Sequence, residues 1–325
     1  MLTSRHVTAS APGKIILFGE HAVVYGKPAI AAAVDKRVYV NVEKREDNRT
    51  HVKVEEPEVS GFLNLEKGII ELENGKNNRN GILEYVLRSL IKTETRYGLE
   101  ITINMDIPIG AGLGSSAAIT VATIKAASTF NEIKLTRDEI AKLAHQVELE
   151  VQGSASPIDT TLSTHGGIIY LSRDAEEIIK LNVNYEIPIV VGYTSKRGNT
   201  GELVESVRLK TEKHPQVMLP ILNSMESITN GAREAMINGD QQMIGEFMNI
   251  NHGLLDAIGV NTEELSKMVY TARKTGSLGS KLTGAGGGGS IIAYCPGIVD
   301  EVVSCINEFE NAFKINISSD GVRLE

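Results

Sequence analysis

Residues 108–118 decide the fold, and they read Pro108-Ile109-Gly110-Ala111-Gly112-Leu113-Gly114-Ser115-Ser116-Ala117-Ala118. Apolar and polar residues alternate over 99–105, which predicts a strand just before this loop. The residues after Ser116 are almost all apolar, which predicts a buried helix. Alternate glycines remove the side chains that would keep an anion away from the backbone amides, and the helix start adds unpaired N–H groups and a positive dipole end. We therefore predict a phosphate-binding loop, in preference to a tight turn whose serine caps the helix.

Two other kinds of nucleotide-binding loop do not fit the glycine pattern. No Gly-Lys-Ser/Thr follows the loop, so it is not a Walker A motif. The dinucleotide-binding spacing Gly-x-Gly-x-x-Gly occurs at 284–289, but those glycines lead into an apolar strand, whereas a Rossmann turn leads into a helix. Because so many glycines are costly in backbone entropy, this second run predicts close approach to a ligand or to another loop, rather than a loose surface hairpin.

Length and composition narrow the class of protein. The chain has 325 residues, with 33 Lys and Arg against 41 Asp and Glu, a net charge of −8. The length predicts about two domains, and the acidic balance argues against a broad nucleic-acid or anionic-membrane surface. There is no apolar run of a membrane span's length and no apolar core of a secretory signal near the N-terminus. Cys295 and Cys305 form no paired framework, so we expect a cytoplasmic protein in which both are small buried apolar residues.

The elements along the chain alternate in type. Thr136, with Glu139 three residues on, predicts a capping box, and that helix should reach Gln152 and end at Gly153. We expect a mainly helical region over 200–275, a further helix over 299–313 and a domain boundary near residue 185. Strands are predicted at 15–18, 38–42, 51–54, 99–105, 168–171, 187–191, 290–294 and 314–318.

Three motifs taken together resemble the GHMP kinases, and the resemblance spans nearly the whole chain. They are Ala11-Pro12-Gly13-Lys14 through Gly19-Glu20-His21, the 108–118 loop, and Lys281-Leu282-Thr283-Gly284-Ala285-Gly286-Gly287-Gly288-Gly289. Where galactokinases carry an Asp after Gly-Glu-His, this chain has Ala22, and the run to Gly26 is similar to the mevalonate kinase branch of the family. Residues 151–160 resemble the archaeal members of that branch, with Ser-Pro-Ile-Asp where many eukaryotic relatives have Ser-Gly-x-Asp.

The resemblance implies an α+β chain of two domains. Residues 1–185 would form an N-terminal domain of ribosomal-protein-S5-like topology that holds the ATP loop and the catalytic residues, and residues 186–325 a ferredoxin-like C-terminal domain. ATP and mevalonate would be the small-molecule partners, meeting in the cleft between the domains, and the C5 hydroxyl of mevalonate would be phosphorylated for isoprenoid synthesis. We expect no nucleic-acid or membrane partner, and we expect a homodimer.

The resemblance also assigns the site residues. Residues 108–118 would hold the ATP phosphates, and Ser116 and Glu148 would bind Mg²⁺. Asp159, in a loop after the second predicted helix, would take the hydroxyl proton, or Lys14 beside it would lower the pKa of the hydroxyl; both descriptions stay open. The substrate contacts implied are Lys14, Glu20, His21, Asp159 and Thr200, and the His21 imidazole would donate to the mevalonate carboxylate or C3 hydroxyl. The loop containing Gly284, Gly286 and Gly287, with Lys281 and Thr283, would stabilise the closed site beside the phosphates.

Several of these roles have simpler alternatives. Helical phase places Glu148 and Glu150 at the two borders of one apolar face, so that only the family's spacing to Asp159 favours Glu148. Thr200 could be an N-cap, and His21 a core histidine. The other histidines lack metal-ligand spacing, so we expect no zinc site. Alternative functions are a GHMP kinase for another small hydroxy acid or sugar, or a catalytically silent ATP-binding sensor.

Overall fold

The computed structural model describes residues 6–74, 80–95, 98–108, 111–153, 155–194 and 198–325. Gly110, one of the predicted phosphate-binding residues, lies outside these ranges. The strands are β1 (His6–Phe18), β2 (Ala29–Lys44), β3 (Thr50–Val54), β4 (Val59–Asn64), β5 (Ile69–Asn74), β6 (Leu99–Met105), β7 (Ile168–Leu171), β8 (Ile178–Leu181), β9 (Ile189–Tyr193), β10 (Gly279–Thr283), β11 (Ser290–Tyr294), β12 (Asn311–Ile315) and β13 (Arg323–Leu324). The α-helices are α1 (Asn80–Lys92), α2 (Ser115–Phe130), α3 (Arg137–Gln152), α4 (Pro157–His165), α5 (Thr200–Lys213), α6 (Pro215–Asn238), α7 (Gln241–Ala257), α8 (Glu263–Thr275) and α9 (Val299–Asn307).

The larger of two sheets carries the first half of the chain. Its strands run in the order β13-β1-β2-β6-β3-β4-β5. In addition, β7 pairs with the first four residues of β2, and β8 pairs with β7. The long antiparallel pair of β1 and β2 shifts register between Pro12 and Lys14, and regular pairing resumes at Lys14, which lies opposite Ala33. Helix α2 lies on β1 and β2 and is enclosed by α1, α3 and α4, which explains why its sequence is apolar nearly all round.

The smaller sheet organises the second half of the chain. Its strands pair antiparallel in the order β10-β11-β9-β12. Helices α7 and α8 pack on β10, and α9 packs on β9 and β12. The mixture of a large mixed sheet, a small antiparallel sheet and helices packed on both confirms the predicted α+β class. Among the described residues, none of the helices has both the length and the apolar character that crossing a membrane requires.

The C-terminal end crosses the predicted domain boundary. Residue 185 does lie between β8, the last strand of the first half, and β9, the first strand of the smaller sheet. Ile317, however, bridges Val34 of β2, and β13 pairs with β1, so the last residues complete the larger sheet. The assignment of all of 186–325 to a second domain is therefore corrected at its end. The buried Arg37 side chain donates to the Gly321 carbonyl at 2.7 Å and to Ser10 Oγ of β1 at 2.7 Å, and so ties this returning segment to β1.

Two element assignments are also corrected. The helix predicted over 299–313 ends at Asn307, and the strand expected from residue 314 begins at Asn311. The Asn307 side chain causes the break, because its Oδ1 accepts from the Ala312 N–H and its Nδ2 donates to the Ala312 carbonyl. Asp159 lies in the first turn of α4 and not in a loop. The helix begins at Pro157, directly after the N-cap Ser156. The capping box of Thr136 and Glu139 in α3 is confirmed, with Gly153 as the C-cap.

Candidate active site

A cavity of about 480 Å³ lies where the three predicted motifs meet. Another cavity, of about 370 Å³ and lined mainly by residues 180–187, contains none of the predicted site residues. The cavity at the three motifs is therefore the candidate active site. The predicted residues that line it are Lys14, Glu20, His21, Pro108, Gly112, Leu113, Gly114, Ser115, Ser116, Asp159, Thr200, Thr283, Gly284 and Gly286.

The predicted phosphate-binding loop ends in an uncapped helix. Gly114 is the N-cap of α2 with φ 70°, and no described side chain makes a capping hydrogen bond there, so the alternative of a serine cap is wrong. A Cβ at Gly114 would come within 2.8 Å of Lys14 Cγ, and the Lys14 N–H donates to the Leu113 carbonyl at 2.8 Å. The loop thus packs directly on β1 while the first N–H groups of α2 lie at the cavity, where an anion would be stabilised.

An ion pair joins β1 to α4 in this cavity. Lys14 Nζ lies 3.2 Å from Asp159 Oδ1, with 9% of the Lys14 side chain and 28% of the Asp159 side chain exposed. Asp159 belongs to the first turn of α4, where the positive end of the helix dipole favours a carboxylate. Ser163, one turn further along, donates to the Pro12 carbonyl at 2.9 Å and fixes α4 against β1. The pair is therefore held on both sides by packed elements and still reaches the cavity.

Ser116 and Glu148 meet beside this pair. Ser116 Oγ donates to Glu148 Oε1 at 3.1 Å, and Glu148 is buried. Burial, followed by the nearby Asp159 charge, raises the pKa of Glu148 to about 7, although Ser116 and Lys14 oppose the shift. Glu150 instead is 40% exposed and pairs with Lys92 at 2.6 Å. Helical phase alone did not distinguish the two glutamates, but the packing of α3 buries Glu148 and leaves Glu150 at the surface.

A buried carboxylate next to a hydroxyl oxygen is a donor set that suits Mg²⁺. That ion prefers oxygen ligands, keeps several waters, and takes only one or two carboxylates besides substrate phosphates. A cation near Glu148 would also compensate a buried charge that the protein itself compensates only in part. Ser116 and Glu148 therefore fit the predicted metal site.

His21 has a different hydrogen-bonding role from the one predicted. Its Nε2 lies 2.8 Å from the Ala285 carbonyl oxygen, which can only accept, so Nε2 carries the proton. Burial lowers the pKa of His21, which favours the neutral ring. Nδ1 is then an acceptor, and the expectation that the imidazole donates to a substrate carboxylate is corrected. The residue also has φ 59°, a left-handed backbone conformation that is unusual outside glycine.

Glu20 lines the cavity as predicted, whereas Lys281 does not. Both side chains are fully buried, and the Lys281 ammonium contacts the Glu20 carboxylate. The Glu20 carboxylate is therefore engaged by Lys281, and the Lys281 ammonium is buried in that pair. Thr283, predicted beside the phosphates as well, donates from Oγ1 to the Ile16 carbonyl at 2.8 Å. These three residues join β1 to β10.

The second glycine run approaches other backbone closely, as predicted. A Cβ at Gly286 would lie 2.1 Å from the Val260 carbonyl oxygen, and the Gly287 N–H donates to that same carbonyl at 2.7 Å. Ser290, which the sequence analysis passed over, donates from Oγ to the Ala111 carbonyl at 2.7 Å and so ties this run to the phosphate-binding loop. The only signal for Ser290 was its place directly after the glycines.

Thr200 lies at the edge of the cavity as the first residue of α5. The N-cap role considered for it belongs to Asn199, whose Oδ1 accepts from the Gly201 and Glu202 N–H groups. Because its neighbour caps the helix, the Thr200 hydroxyl is not needed for that purpose.

Comparison with known proteins identifies the family. The pattern described as the GHMP kinases N terminal domain matches residues 80–167, and that described as GHMP kinases C terminal matches residues 232–312. Mevalonate kinase from Pyrococcus abyssi is 44% identical over 99% of this chain and 98% of its own length. The chain belongs to the mevalonate kinase family of the GHMP kinases. The family's Methanothermobacter thermautotrophicus member is 43% identical, over 97% of this chain and 99% of its own.

Solved structures of the mevalonate kinase family share this fold. The Methanococcus jannaschii mevalonate kinase superposes with a TM-score of 0.83 at 31% identity, covering 97% of this chain and 99% of its own. The L. major mevalonate kinase in complex with R-mevalonate gives a TM-score of 0.85 at 24% identity, covering 98% of each chain, which shows the fold alone. The GHMP kinase fold expected from the three motifs is confirmed.

Proposed function

We propose that this chain transfers the γ-phosphoryl group of ATP to the C5 hydroxyl of mevalonate, forming 5-phosphomevalonate for isoprenoid biosynthesis. The observation that carries the proposal is the Lys14–Asp159 pair at 3.2 Å, which lines the same cavity as the uncapped start of α2. A phosphate-binding helix start and a carboxylate held by an ammonium are the parts that phosphoryl transfer to an alcohol requires. Curated relatives more than 40% identical over nearly the whole chain carry the name mevalonate kinase.

ATP would be bound mainly by backbone groups. The amides of residues 112–116 and the positive end of α2 would hold the phosphates, and the contact between Ser290 and Ala111 would keep the loop against the second glycine run. Ser116 and Glu148 would hold Mg²⁺, which neutralises charge on the phosphate oxygens during transfer. Catalysis by the chain is then mostly positioning of the phosphate chain relative to the hydroxyl.

Proton transfer would be the task of the ion pair. A protonated lysine has no lone pair, so of these two groups only the Asp159 carboxylate is able to accept the proton of the C5 hydroxyl. Lys14 would hold that carboxylate in place and stabilise negative charge that develops on the attacking oxygen. The sequence left open whether Asp159 accepts the proton or Lys14 activates the hydroxyl. In this proposal Asp159 does the first and Lys14 assists by stabilising the charge on the oxygen.

Recognition of mevalonate would use the acceptor nitrogen of His21. With Nε2 donating to Ala285, Nδ1 would accept from the C3 hydroxyl, which is a donor. Thr200 would contact the substrate from the α5 side of the cavity.

The proposal also includes a cytoplasmic location and a homodimer. Cys295 and Cys305 are both free thiols, the state in which a reducing compartment keeps cysteines.

The proposal is tested by measuring ADP release with mevalonate, galactose and homoserine side by side. We expect kcat/KM for mevalonate to exceed the others by orders of magnitude, because hydrogen-bonding sites reject substrates that leave their polar groups unpaired. Asp159→Asn should still bind ATP but turn over at least about a hundredfold more slowly, the usual contribution of a general base. A higher kcat/KM for galactose or homoserine would assign another GHMP substrate, and ATP binding without turnover of any alcohol would favour the sensor.

A further inference from the structure

The mechanism leaves one pair of buried charges unused. Lys281 of β10 and Glu20, in the turn after β1, have no exposed side-chain surface, and their charged groups are in contact. Lys281 Nζ also donates to the Leu282 carbonyl at 2.7 Å, and Asn251 Nδ2 of α7 lies 3.4 Å from Glu20 Oε2. Each charge therefore has a partner and at least one further polar contact, and the Glu20 side chain has no exposed surface in this structure.

Such a pair is a costly way to fill space. Removing two charges from water costs more than packing apolar side chains of the same volume, so a buried ion pair is weak evidence for stability alone. What the pair does provide is a fixed geometry, because each charge is strongly destabilised if the other moves away. A role in positioning is thus more consistent with its burial than a role in stability.

The pair lies among other contacts that join the same two segments. Thr283 and Ile16 exchange two hydrogen bonds, from Thr283 Oγ1 to the Ile16 carbonyl at 2.8 Å and from the Ile16 N–H to Thr283 Oγ1 at 3.3 Å. His21, next to Glu20, donates to the Ala285 carbonyl just beyond β10. The end of β1 with its turn and the end of β10 with its loop are therefore held in register along one side of the active-site cavity.

The turn that carries His21 needs such support. His21 has φ 59° and ψ −43°, outside the regions favoured by residues with a side chain. A conformation of this kind is unfavourable by itself and persists only where the surroundings impose it. The Glu20–Lys281 contact fixes the residue before His21, alongside the turn's own backbone hydrogen bonds from the Ala22 N–H to the Glu20 carbonyl and from the Val23 N–H to the Gly19 carbonyl.

We propose that Lys281 is a positioning residue for substrate recognition, which holds Glu20 and thereby keeps the His21 acceptor nitrogen at the mevalonate site. With its side chain fully buried, Lys281 would act through Glu20 and not through a contact of its own with either substrate. The inference rests on the proposed function for the identity of the substrate, while the contact between Glu20 and Lys281 and the single protonated nitrogen of His21 do not depend on it.

A double-mutant cycle on Glu20 and Lys281 tests this role. Lys281→Met and Glu20→Gln should each raise KM for mevalonate about tenfold, the effect of losing one substrate hydrogen bond, and leave KM for ATP within about twofold. Because both changes break the same contact, the double variant should be no worse than the worse single variant. If Glu20 instead contacts mevalonate independently, the two effects multiply to about a hundredfold and the proposal is overturned. An unchanged KM for mevalonate in folded Lys281→Met also overturns it.

The double variant keeps the test decisive if a single variant fails to fold, since it strands no buried charge. In that case the ring ¹⁵N shifts of His21, assigned with His21→Gln, provide the readout without any substrate. Wild type should show one Nε2-protonated form, and the double variant a mixture of both neutral forms; a single unchanged form would contradict the positioning role.

Lys27→Met is the matched control, because Lys27 pairs with Glu226 at 2.7 Å across the same two halves of the chain but does not line the cavity. It should leave the His21 shifts and both KM values at wild-type levels. If Lys27→Met raises KM for mevalonate as much as Lys281→Met does, any contact between the halves has this effect and the specific role of Lys281 is excluded. Failure of wild type to phosphorylate mevalonate would instead remove the proposed function and leave the ¹⁵N result to decide the positioning of His21.

Discussion

At the scale of single residues, packing rather than sequence periodicity separates Glu148 from Glu150. Both border the apolar face of α3, yet Glu148 is buried against Ser116 whereas Glu150 reaches Lys92 at the surface. Glu148→Gln should raise the Mg²⁺ concentration for half-maximal activity by at least about tenfold, since it removes the charged ligand. Glu150→Gln is the matched control and should reach half-maximal activity at the same Mg²⁺ concentration as wild type. A Mg²⁺ requirement that moves with Glu150 would reverse the ligand assignment.

His252 makes stability depend on pH. Burial lowers the pKa of His252 to about 4, and its Nδ1 accepts from the Leu282 N–H at 3.4 Å. Between pH 4 and 6.5 the unfolded chain binds the proton that the folded chain excludes, so stability is complete above 6.5 and falls as the pH approaches 4. The loss attributable to this group is up to about 3 kcal/mol.

Urea unfolding at pH 7, 5.5 and 4.5 measures this dependence. His252→Gln should flatten the fall in the free energy of unfolding, whereas a matched change at the exposed His214 should not. The same slope in wild type and His252→Gln would show that the histidine is protonated in the folded state.

At the scale of elements, the start of α2 depends on glycine for two different reasons. Gly112 and Gly114 have φ 64° and 70°, so an alanine at either position is strained. At Gly112 a Cβ would meet nothing within 4 Å, whereas at Gly114 it would meet the Lys14 side chain. Gly114→Ala should therefore lower kcat about tenfold or more by displacing Lys14 from Asp159, as small misplacements at a reacting centre do.

Gly112→Ala is the control for Gly114→Ala, because it introduces backbone strain without a contact to Lys14. It should cost about 1 kcal/mol of stability and raise KM for ATP, because a side chain in this loop keeps phosphates from the amides, while kcat at saturating ATP changes by less than about threefold. Steady-state kinetics and thermal unfolding of both variants are the measurements. Equal losses of kcat would mean that strain alone explains the effect and that the contact with Lys14 is unimportant.

The sequence predicts elements best where local signals decide them. The capping box of Thr136 and Glu139 defines α3 within a residue at each end, because both ends are set by neighbours in the chain. The end of α9 was missed because a single side chain, Asn307, replaces the helical hydrogen bonds by bonds to Ala312. The position of Asp159 within α4 was missed because a nine-residue helix that begins with Ser-Pro also has the composition of a turn.

Contacts distant in sequence were beyond prediction for a different reason. Glu20 and Lys281 are 261 residues apart, and nothing in either local pattern indicates that their charges are buried together. The motifs placed both residues near the site, and the family resemblance gave them substrate and phosphate roles. Only the packing of β10 against the end of β1 shows that the two charges neutralise each other instead.

At the scale of the whole molecule, the returning C-terminal segment supports the catalytic helix. The Val322 N–H donates to the Thr164 carbonyl near the end of α4, and Arg37 holds the same segment with its guanidinium. Arg37→Met should lower the free energy of unfolding by about 3 kcal/mol, because it leaves several buried acceptors unpaired. Arg323→Met, which removes an arginine of the same segment that is 45% exposed, should change it by less than about 0.5 kcal/mol.

Urea unfolding followed by circular dichroism compares these two variants. If Arg37→Met unfolds at the same urea concentration as wild type, the segment is held by β13 pairing alone and the buried guanidinium contributes nothing to it.

Binding of the phosphates by the 112–116 amides, next to the Lys14–Asp159 pair, is tested most directly by a crystal structure with a non-hydrolysable ATP analogue and mevalonate. Phosphate oxygens should lie about 3 Å from those amides, and the C5 hydroxyl within about 3 Å of an Asp159 carboxylate oxygen. A nucleotide whose phosphates lie elsewhere, with the start of α2 unoccupied, or a C5 hydroxyl remote from Asp159, would contradict both the site and the mechanism.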